Sequence, residues 1–397
     1  MLFRLGILII SAKAILRKYF SFSIKKDRLA FSIYHGNEDS LITQEYINNV
    51  PQKYVLNSNQ DSFFLSTAFP LFLWEGRSEN RAYYLPRVPV LKKEFKREFN
   101  LNNSCCSGSR ITFTTNSSEI HIRIHLNKII STCNMPLSSL AGLDIFEIKD
   151  DVEHWLGCYS PKNILCDYIY CTISNKKCAK KTYTVHLPLF SQIQLIQIGL
   201  NKNSIIYLPD IKRNNLPIAI YGSSITQGCA SSRPSLSFAS RLSREMKCDV
   251  MNFGFSGCAY GEEKIAEYLA CLNLSAIVLE YDHNASVEIL KKTHYKFYSI
   301  LRASQKRVPI VMFSRCSGGL SISSNEEQER FCIIQHTYNL AQNNGDRFVY
   351  LLRGEDFFEN KDECFVDDRH PNDIGMKIIS EKLLEILKQT EILHEKN

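Results

Sequence analysis

The hydrophobic period of the chain changes once, near Pro217, and that change restricts the fold to two kinds of layer. Between Arg110 and Asn201 apolar residues recur at every second position in short runs. Ile111-Thr112-Phe113-Thr114 passes through the turn-like Asn116-Ser117-Ser118 into Ile120, Ile122, Ile124 and Leu126, which alternate with His121, Arg123 and His125. Asp144 to Ile148, Tyr168 to Ile173, Thr182 to Leu187 and Ile193 to Leu200 read as further strands. A period of two without helical spacing between the runs predicts an antiparallel β-sandwich. After Pro217, apolar runs at Ile218 to Tyr221, Val250 to Phe255, Ala276 to Tyr281, Pro309 to Phe313 and Phe348 to Leu352 alternate with helical stripes. Such stripes are Phe238, Leu242 and Met246; Ile265, Leu269 and Leu272; and Ile374, Ile378, Leu383 and Leu387. This alternation predicts an α/β fold, a mainly parallel sheet with helices on both faces, whose ligands sit beyond the carboxyl ends of the strands.

A length of 397 residues has room for two domains. The reading divides the chain into a leader over 1–70, which supplies early β-strands or stays irregular, a β-sandwich accessory domain over 71–208, and an α/β domain over 216–392. The polar stretch Asp210 to Asn215 joins the last two. With 44% hydrophobic and 22% charged residues, most of the chain has enough apolar surface to fold. The net charge of +7 is spread among acidic neighbours, which argues against a nucleic-acid groove. No run reaches the roughly 18 apolar residues needed to cross a bilayer. Met1-Leu2-Phe3-Arg4, the apolar Leu5 to Ser11 and the small Ala12-Lys13-Ala14 form a minimal version of a secretory signal. A cytoplasmic location is the expectation, with secretion the alternative if residues 1–14 act as that signal. The 14 cysteines lack the spacing of a disulfide scaffold or a paired zinc motif, so they read as reduced small apolar residues.

Three consecutive strand ends in the second half offer complementary chemistry. Ser224 follows the first parallel strand in Gly222-Ser223-Ser224, at the edge where backbone N–H groups meet an anionic oxygen. The second strand runs out into Asn252-Phe253-Gly254-Phe255-Ser256-Gly257, and the third into Tyr281-Asp282-His283-Asn284, whose side-chain amide is a hydrogen-bond donor. Each segment is also ordinary turn material. Near the end, Asp367 and His370 are three apart, so one helical or 3₁₀ turn puts them on one face, and Pro371 restricts the histidine backbone. The alternative is a surface pair beside a final helix capped by Asn372 or Asp373. A serine hydroxyl needs a histidine to take its proton and a carboxylate to orient that histidine, which this set of residues provides.

Tyr221-Gly222-Ser223-Ser224-Ile225-Thr226-Gln227-Gly228, Asn252-x-Gly254-x-Ser256-Gly257, Asn284 and Asp367-x-x-His370-Pro371-Asn372 resemble, in order and spacing, the four blocks of the SGNH (GDSL-type) hydrolases. Gly142-Leu143-Asp144-Ile145-Phe146 is similar to the Gly-x-Asp-Leu-Tyr signature of the β-rich domain that precedes one branch of that superfamily, and the string Ser224 to Pro234 resembles the same branch. The resemblance implies a flavodoxin-like sheet after a β-sandwich, and no cofactor. It also implies Ser224 as nucleophile, His370 as base and Asp367 as its orienting acid, with Ser224 and Gly257 N–H groups and the Asn284 amide as oxyanion donors. Two positions depart from the pattern. Ser223 stands where the Gly-Asp-Ser-Leu form has aspartate, and Ala285 where an aspartate often follows the third-block asparagine.

The expected reaction is ester hydrolysis through an acyl-enzyme. The resemblance points to acetyl or other short acyl groups on a carbohydrate, with Trp155, Tyr159 and Tyr83-Tyr84 as stacking candidates against a reading of them as core. The alternatives are a lipase or thioesterase for longer chains, and a silent carbohydrate-binding protein. A metal site at His283, His294 and His336 lacks helical ligand spacing and is not expected.

Overall fold

The computed structural model of the protein describes residues 44–77, 86–89, 94–213, 216–319 and 324–390. The signal-like start at residues 1–14 and the pair Tyr83-Tyr84 lie outside these residues.

The first half forms two antiparallel sheets. Its strands are β1 (Gln44–Tyr46), β2 (Val55–Ser58), β3 (Ser62–Ser66), β4 (Leu73–Glu75), β5 (Arg110–Thr115), β6 (Glu119–Ile129), β7 (Leu143–Lys149), β8 (Val152–Tyr159), β9 (Tyr168–Ser174), β10 (Lys181–His186), β11 (Ser191–Asn201) and β12 (Ile205–Tyr207). Helices α1 (Arg97–Asn103) and α2 (Leu137–Leu140) interrupt them. One sheet has the order β1-β12-β5-β10-β7-β8, with β4 also paired to β5, and the other β2-β3-β11-β6-β9. The alternation in β6 decides which side faces in. Ile120, Ile122 and Ile124 are fully buried and lie opposite Leu200, Ile198 and Ile196 of β11. These apolar pairs fix the register, because a slip of one residue would turn the isoleucines to solvent. Residues 44–66, within the stretch read from sequence as a leader that supplies early β-strands or stays irregular, contribute strands to both sheets. Strand β8, absent from the sequence reading, pairs with β7 at a sheet edge, and its apolar residues are largely exposed.

The second half is a parallel sheet of β13 (Ile218–Gly222), β14 (Val250–Gly254), β15 (Ala276–Glu280), β16 (Ile310–Phe313) and β17 (Val349–Leu352), in the order β14-β13-β15-β16-β17. The intervening helices are α3 (Ser224–Gln227), α4 (Phe238–Met246), α5 (Glu263–Ala270), α6 (Val287–Ser304), α7 (Ser324–Asn343), α8 (Lys361–Cys364) and α9 (Asp373–Gln389). Strands β13 to β16 are buried on both faces, and the edge strand β17 is buried at Val349 and half-buried beyond it. Ala219, Tyr221, Ile277 and Leu279 pack with α5, α6 and α7, whereas Ile218, Ile220, Val278 and Val311 pack with α4 and α9. The final helix buries Leu383 and Leu387 as expected, but its first turns bury Met376 and Ile379 in place of Ile374, which is 51% exposed, and Ile378, which is half-buried. Asn372 sets that phase by capping the helix through Ile374 and Gly375 N–H groups. The strand order reverses at β13, so the crevice beyond its carboxyl end is where such a sheet takes a ligand.

Polar contacts join the halves at several places, one of them the Gly76 N–H on Asp249 Oδ1 at 2.8 Å. Glu75 of β4 receives Arg110 at 3.1 Å, and Arg213 from the connecting segment. Asp144 of β7, fully buried, accepts Arg233 at 3.0 Å and the Ser235 N–H at 2.9 Å. Arg87, also buried, donates to the Asn252 carbonyl at 2.8 Å and the Gly254 carbonyl at 2.7 Å, at the end of β14.

Candidate functional site

Strand β13 ends at Gly222 and the chain turns at once into α3, so Ser224 is the first residue of a single helical turn and is 7% exposed. Ser223 caps that turn by accepting the Ile225 N–H at 3.1 Å. Its hydroxyl also donates to Glu280 of β15 at 2.9 Å, and the same carboxylate accepts the Ser223 N–H at 3.1 Å and the Thr226 hydroxyl at 2.6 Å. The departure at position 223 thus has a physical account. An aspartate there would set a second carboxylate against Glu280, whereas serine gives it a donor. Gly254, opposite Gly222 in the register, is required by close approach, because a Cβ would collide with the Gln227 backbone.

Burial raises the Glu280 carboxyl to about 7 against the pull of its Thr226 and Ser223 hydrogen bonds, with Asp282 adding to the rise. Burial, then Arg315, drives His283 well below the ordinary imidazole value, so its 3.7 Å approach to Glu280 is not a full ion pair. The sign of the Glu280 linkage follows. Its folded pKa of about 7 lies above the ordinary value, so its contribution is complete near pH 4 and lost as pH rises through 7. Wild-type unfolding free energy is expected to fall by on the order of 2 kcal/mol more than that of Glu280→Gln between pH 4.5 and 8. Denaturant titrations at the two pH values measure this, and equal slopes would show that the fold does not protonate Glu280.

Asp367 and His370 do not share the expected helical turn. They occupy a bend closed by a bridge between Phe365 and Pro371, with the Val366 N–H on the His370 carbonyl at 3.0 Å. The carboxylate nucleates the bend by accepting the N–H groups of Arg369 at 2.9 Å and His370 at 2.8 Å, as a short acidic side chain does in a turn. His370 Nδ1 lies 2.9 Å from Asp367 Oδ2, and His370 Nε2 lies 3.0 Å from Ser224 Oγ. Burial would raise the Asp367 pKa, but the Arg369 N–H, the His370 ring, the Asn134 amide and the His370 N–H hold it at about 2. The carboxylate is therefore ionised near neutral pH, and a proton on Nδ1 leaves Nε2 free to accept one from Ser224.

The other expected residues lie on the same edge. Gly222 is in register with Gly254 and with Glu280, so the loops after β14 and β15 flank Ser224. Gly257 is exposed with φ +67°, a conformation that suits glycine. Asn284 is half-buried, and its Oδ1 accepts the Ala259 N–H at 3.3 Å, which ties the two loops together. At position 285 the backbone does the holding: the Ala285 carbonyl accepts Arg330 at 2.8 Å, and Asp282 supplies the carboxylate at 3.0 Å.

Of the stacking candidates, Tyr159 packs against the sandwich core. Trp155 is 53% exposed, its N–H bonded to Asp144 at 3.2 Å and one face covered by Arg233 at 4.5 Å. His294 is buried against Thr337 at 2.9 Å and pushed down to about 3 by burial, and His336 is exposed. Among the described residues no group of three metal-ligating side chains comes together, and all the cysteines there are free.

Sequence reasoning missed Asn134, in the loop between β6 and α2. Its amide nitrogen is 2.8 Å from Asp367 Oδ2. It also missed Glu280, whose only signal was an acid at the end of an otherwise apolar strand.

Residues 215–388 match the family model of the GDSL-like lipase/acylhydrolase family, and residues 72–206 match that of the GxDLY N-terminus of SGNH-hydrolase-type esterases. No protein of curated function matches the sequence significantly. Among solved structures, a GDSL-like lipase from Bacteroides ovatus superposes with a TM-score of 0.75 at 22% identity, covering 84% of this chain and 98% of that one. The salicylyl-acyltransferase SsfX3 of a tetracycline biosynthetic pathway gives 0.68 at 18% identity, covering 82% and 96%. A family two carbohydrate esterase from Cellvibrio japonicus gives 0.54 at 11% identity, covering 84% and 99%. With its two matched regions adjoining in this order on one sandwich and one parallel sheet, the chain joins a GxDLY N-terminus of the SGNH-hydrolase-type esterases to a domain of the GDSL-like lipase/acylhydrolase family.

Proposed function

We propose that this acylhydrolase cleaves acetyl or other short acyl esters of a carbohydrate through an acyl-enzyme on Ser224. The observation that carries the reading is the continuous line of contacts from Ser224 Oγ to His370 Nε2 at 3.0 Å and from His370 Nδ1 to Asp367 at 2.9 Å. In this mechanism His370 takes the Ser224 proton as Oγ attacks the ester carbonyl, and Asp367 stabilises the imidazolium. The oxyanion is received by the N–H groups of Ser224 and Gly257 and by the Asn284 amide, whose orientation the Ala259 N–H fixes. His370 returns the proton to the leaving alcohol, then activates the water that releases the acid.

Two observations support a sugar. A carbohydrate esterase is among the structures that share the fold. Trp155 presents an exposed ring beside Arg233, and neighbouring Ser232 is tied to Asp373, two residues past Pro371 in the chain. An exposed, edge-anchored indole suits stacking on a sugar face. A screen of acetylated oligosaccharides against p-nitrophenyl acetate and octanoate tests the assignment. Acetyl esters are expected to have the higher kcat/KM by about tenfold or more. A preference for octanoate would instead favour a lipase or thioesterase.

A further inference from the structure

We propose that Asn134, lent by the antiparallel half, is a positioning residue that keeps the Asp367 carboxylate aligned on His370. This rests on the reading of Ser224, His370 and Asp367 as the reacting set. Asn134 lies in the loop that follows β6, more than two hundred residues away from Asp367 in the chain. The loop is fixed at both sides of the asparagine. The Ile130 N–H bonds to the Phe190 carbonyl at 2.8 Å, and Met135 is buried in the sandwich core.

The orientation of the amide follows from its partners. Burial pushes the Cys229 thiol up to about 12, so it is a neutral S–H. That thiol lies 3.5 Å from Asn134 Oδ1, which leaves Nδ2 toward Asp367 Oδ2 at 2.8 Å. The flipped amide would set its oxygen against a carboxylate. Nδ2 is also 3.1 Å from His370 Nδ1. When Nδ1 carries the proton given to Asp367, two donors face each other there, so the bond that counts is the one to the carboxylate.

Among the described residues Asp367 thus receives four donors, and of these only Asn134 comes from outside its own bend. Removing Asn134 makes the carboxylate more basic and takes away an N–H that opposes a proton on Nδ1. Both changes favour the imidazolium, so the acid limb of the rate profile moves to higher pH. The other titratable groups around the pair are Asp368 and Arg369 in the same bend, Cys229 after α3, Cys133 beside Asn134, and His283 and Arg315 after β15 and β16. Of these, Cys229 loses its contact with Asn134 on substitution, which removes a lowering influence and leaves the thiol neutral.

The experiment measures kcat, KM and the pH profile of p-nitrophenyl acetate hydrolysis by the full chain and its Asn134→Ala, Asn134→Asp and Asp367→Asn variants, with Ser224→Ala as control. Asn134→Ala is expected to lower kcat roughly tenfold with little change in KM and to move the acid limb upward. Asn134→Asp keeps the shape but sets a second carboxylate beside Asp367, so its limb moves further. In the Asp367→Asn background, Asn134→Ala is expected to cost little more, because its partner is gone. Wild-type kcat and pH profile in both Asn134 variants, or a fully additive loss in the double variant, would overturn the role. Wild-type activity in Ser224→Ala would instead defeat the underlying reading of the site. If the alanine variant does not fold, the near-isosteric aspartate variant decides.

Discussion

Replacing Ser224 with alanine is expected to lower kcat for p-nitrophenyl acetate by about 10⁵- to 10⁶-fold. Without Oγ no acyl-enzyme forms, and what remains is the smaller acceleration from oxyanion donors and binding. His370→Ala is expected to cost a similar factor, and the double variant hardly more, because the two groups act as one unit across their 3.0 Å contact. Asn284→Ala should be milder, about 10²- to 10³-fold, since it removes one donor of three. Labelling by a fluorophosphonate gives the same answer without a substrate. The wild-type chain should take one label, at Ser224, and Ser224→Ala none. Wild-type turnover by Ser224→Ala, or a label on another serine, would refute the nucleophile. Folded wild-type protein that binds acetylated oligosaccharide yet neither turns over nor labels would point to a carbohydrate-binding protein.

Glu75→Ala is expected to destabilise the fold by about 3 kcal/mol, read as a lower midpoint in urea denaturation. Glu75 and Arg110 are 5% and 3% exposed in their side chains, and Arg213 shares the same carboxylate. Removing the acid leaves a guanidinium in the interior, where its lost hydration is not replaced. The loss is limited by Asp249, 3.6 Å from Arg110. Burial pushes its carboxyl up to about 6, with the nearby Glu75 charge adding to the rise, so it ionises more readily once Glu75 is gone. The folded Glu75 pKa is depressed, since the arginines overcome the opposing effect of burial. Its stabilisation is therefore fully present above the ordinary carboxylate range and lost as the solution is made strongly acidic. A midpoint for Glu75→Ala equal to that of wild type would show that Asp249 carries the site alone.

How much of this was legible beforehand varies by element, and the reason is the range of the interaction that fixes each. The isoleucines of β6 announce themselves because one buried face imposes a period of two, and the parallel strands because a sheet covered on both faces leaves unbroken apolar runs. The turn at Ser224 and the pair Asp367 and His370 were readable as local strings whose chemistry needs those residue types. The phase of the first turns of α9 was not, because the stripe there is rotated by the Asn372 cap and by what α4 presents to it. Nor was the bend at Asp367, where backbone donors overrode the helical reading of a three-residue spacing.

The sequence by itself determined two layers of different period, the order of the strands along the chain, and the residue types able to move a proton from Ser224 to His370 with Asp367 holding the imidazolium. Only the tertiary structure decided that Asn134 from the antiparallel half reaches Asp367, that Glu280 replaces the missing acid at the Ser224 turn, and that Asp144 grips Arg233. Single polar residues leave no period in a sequence. Their partners lie far away along the chain and become neighbours only when the two cores close and each buried polar group must find a donor or an acceptor.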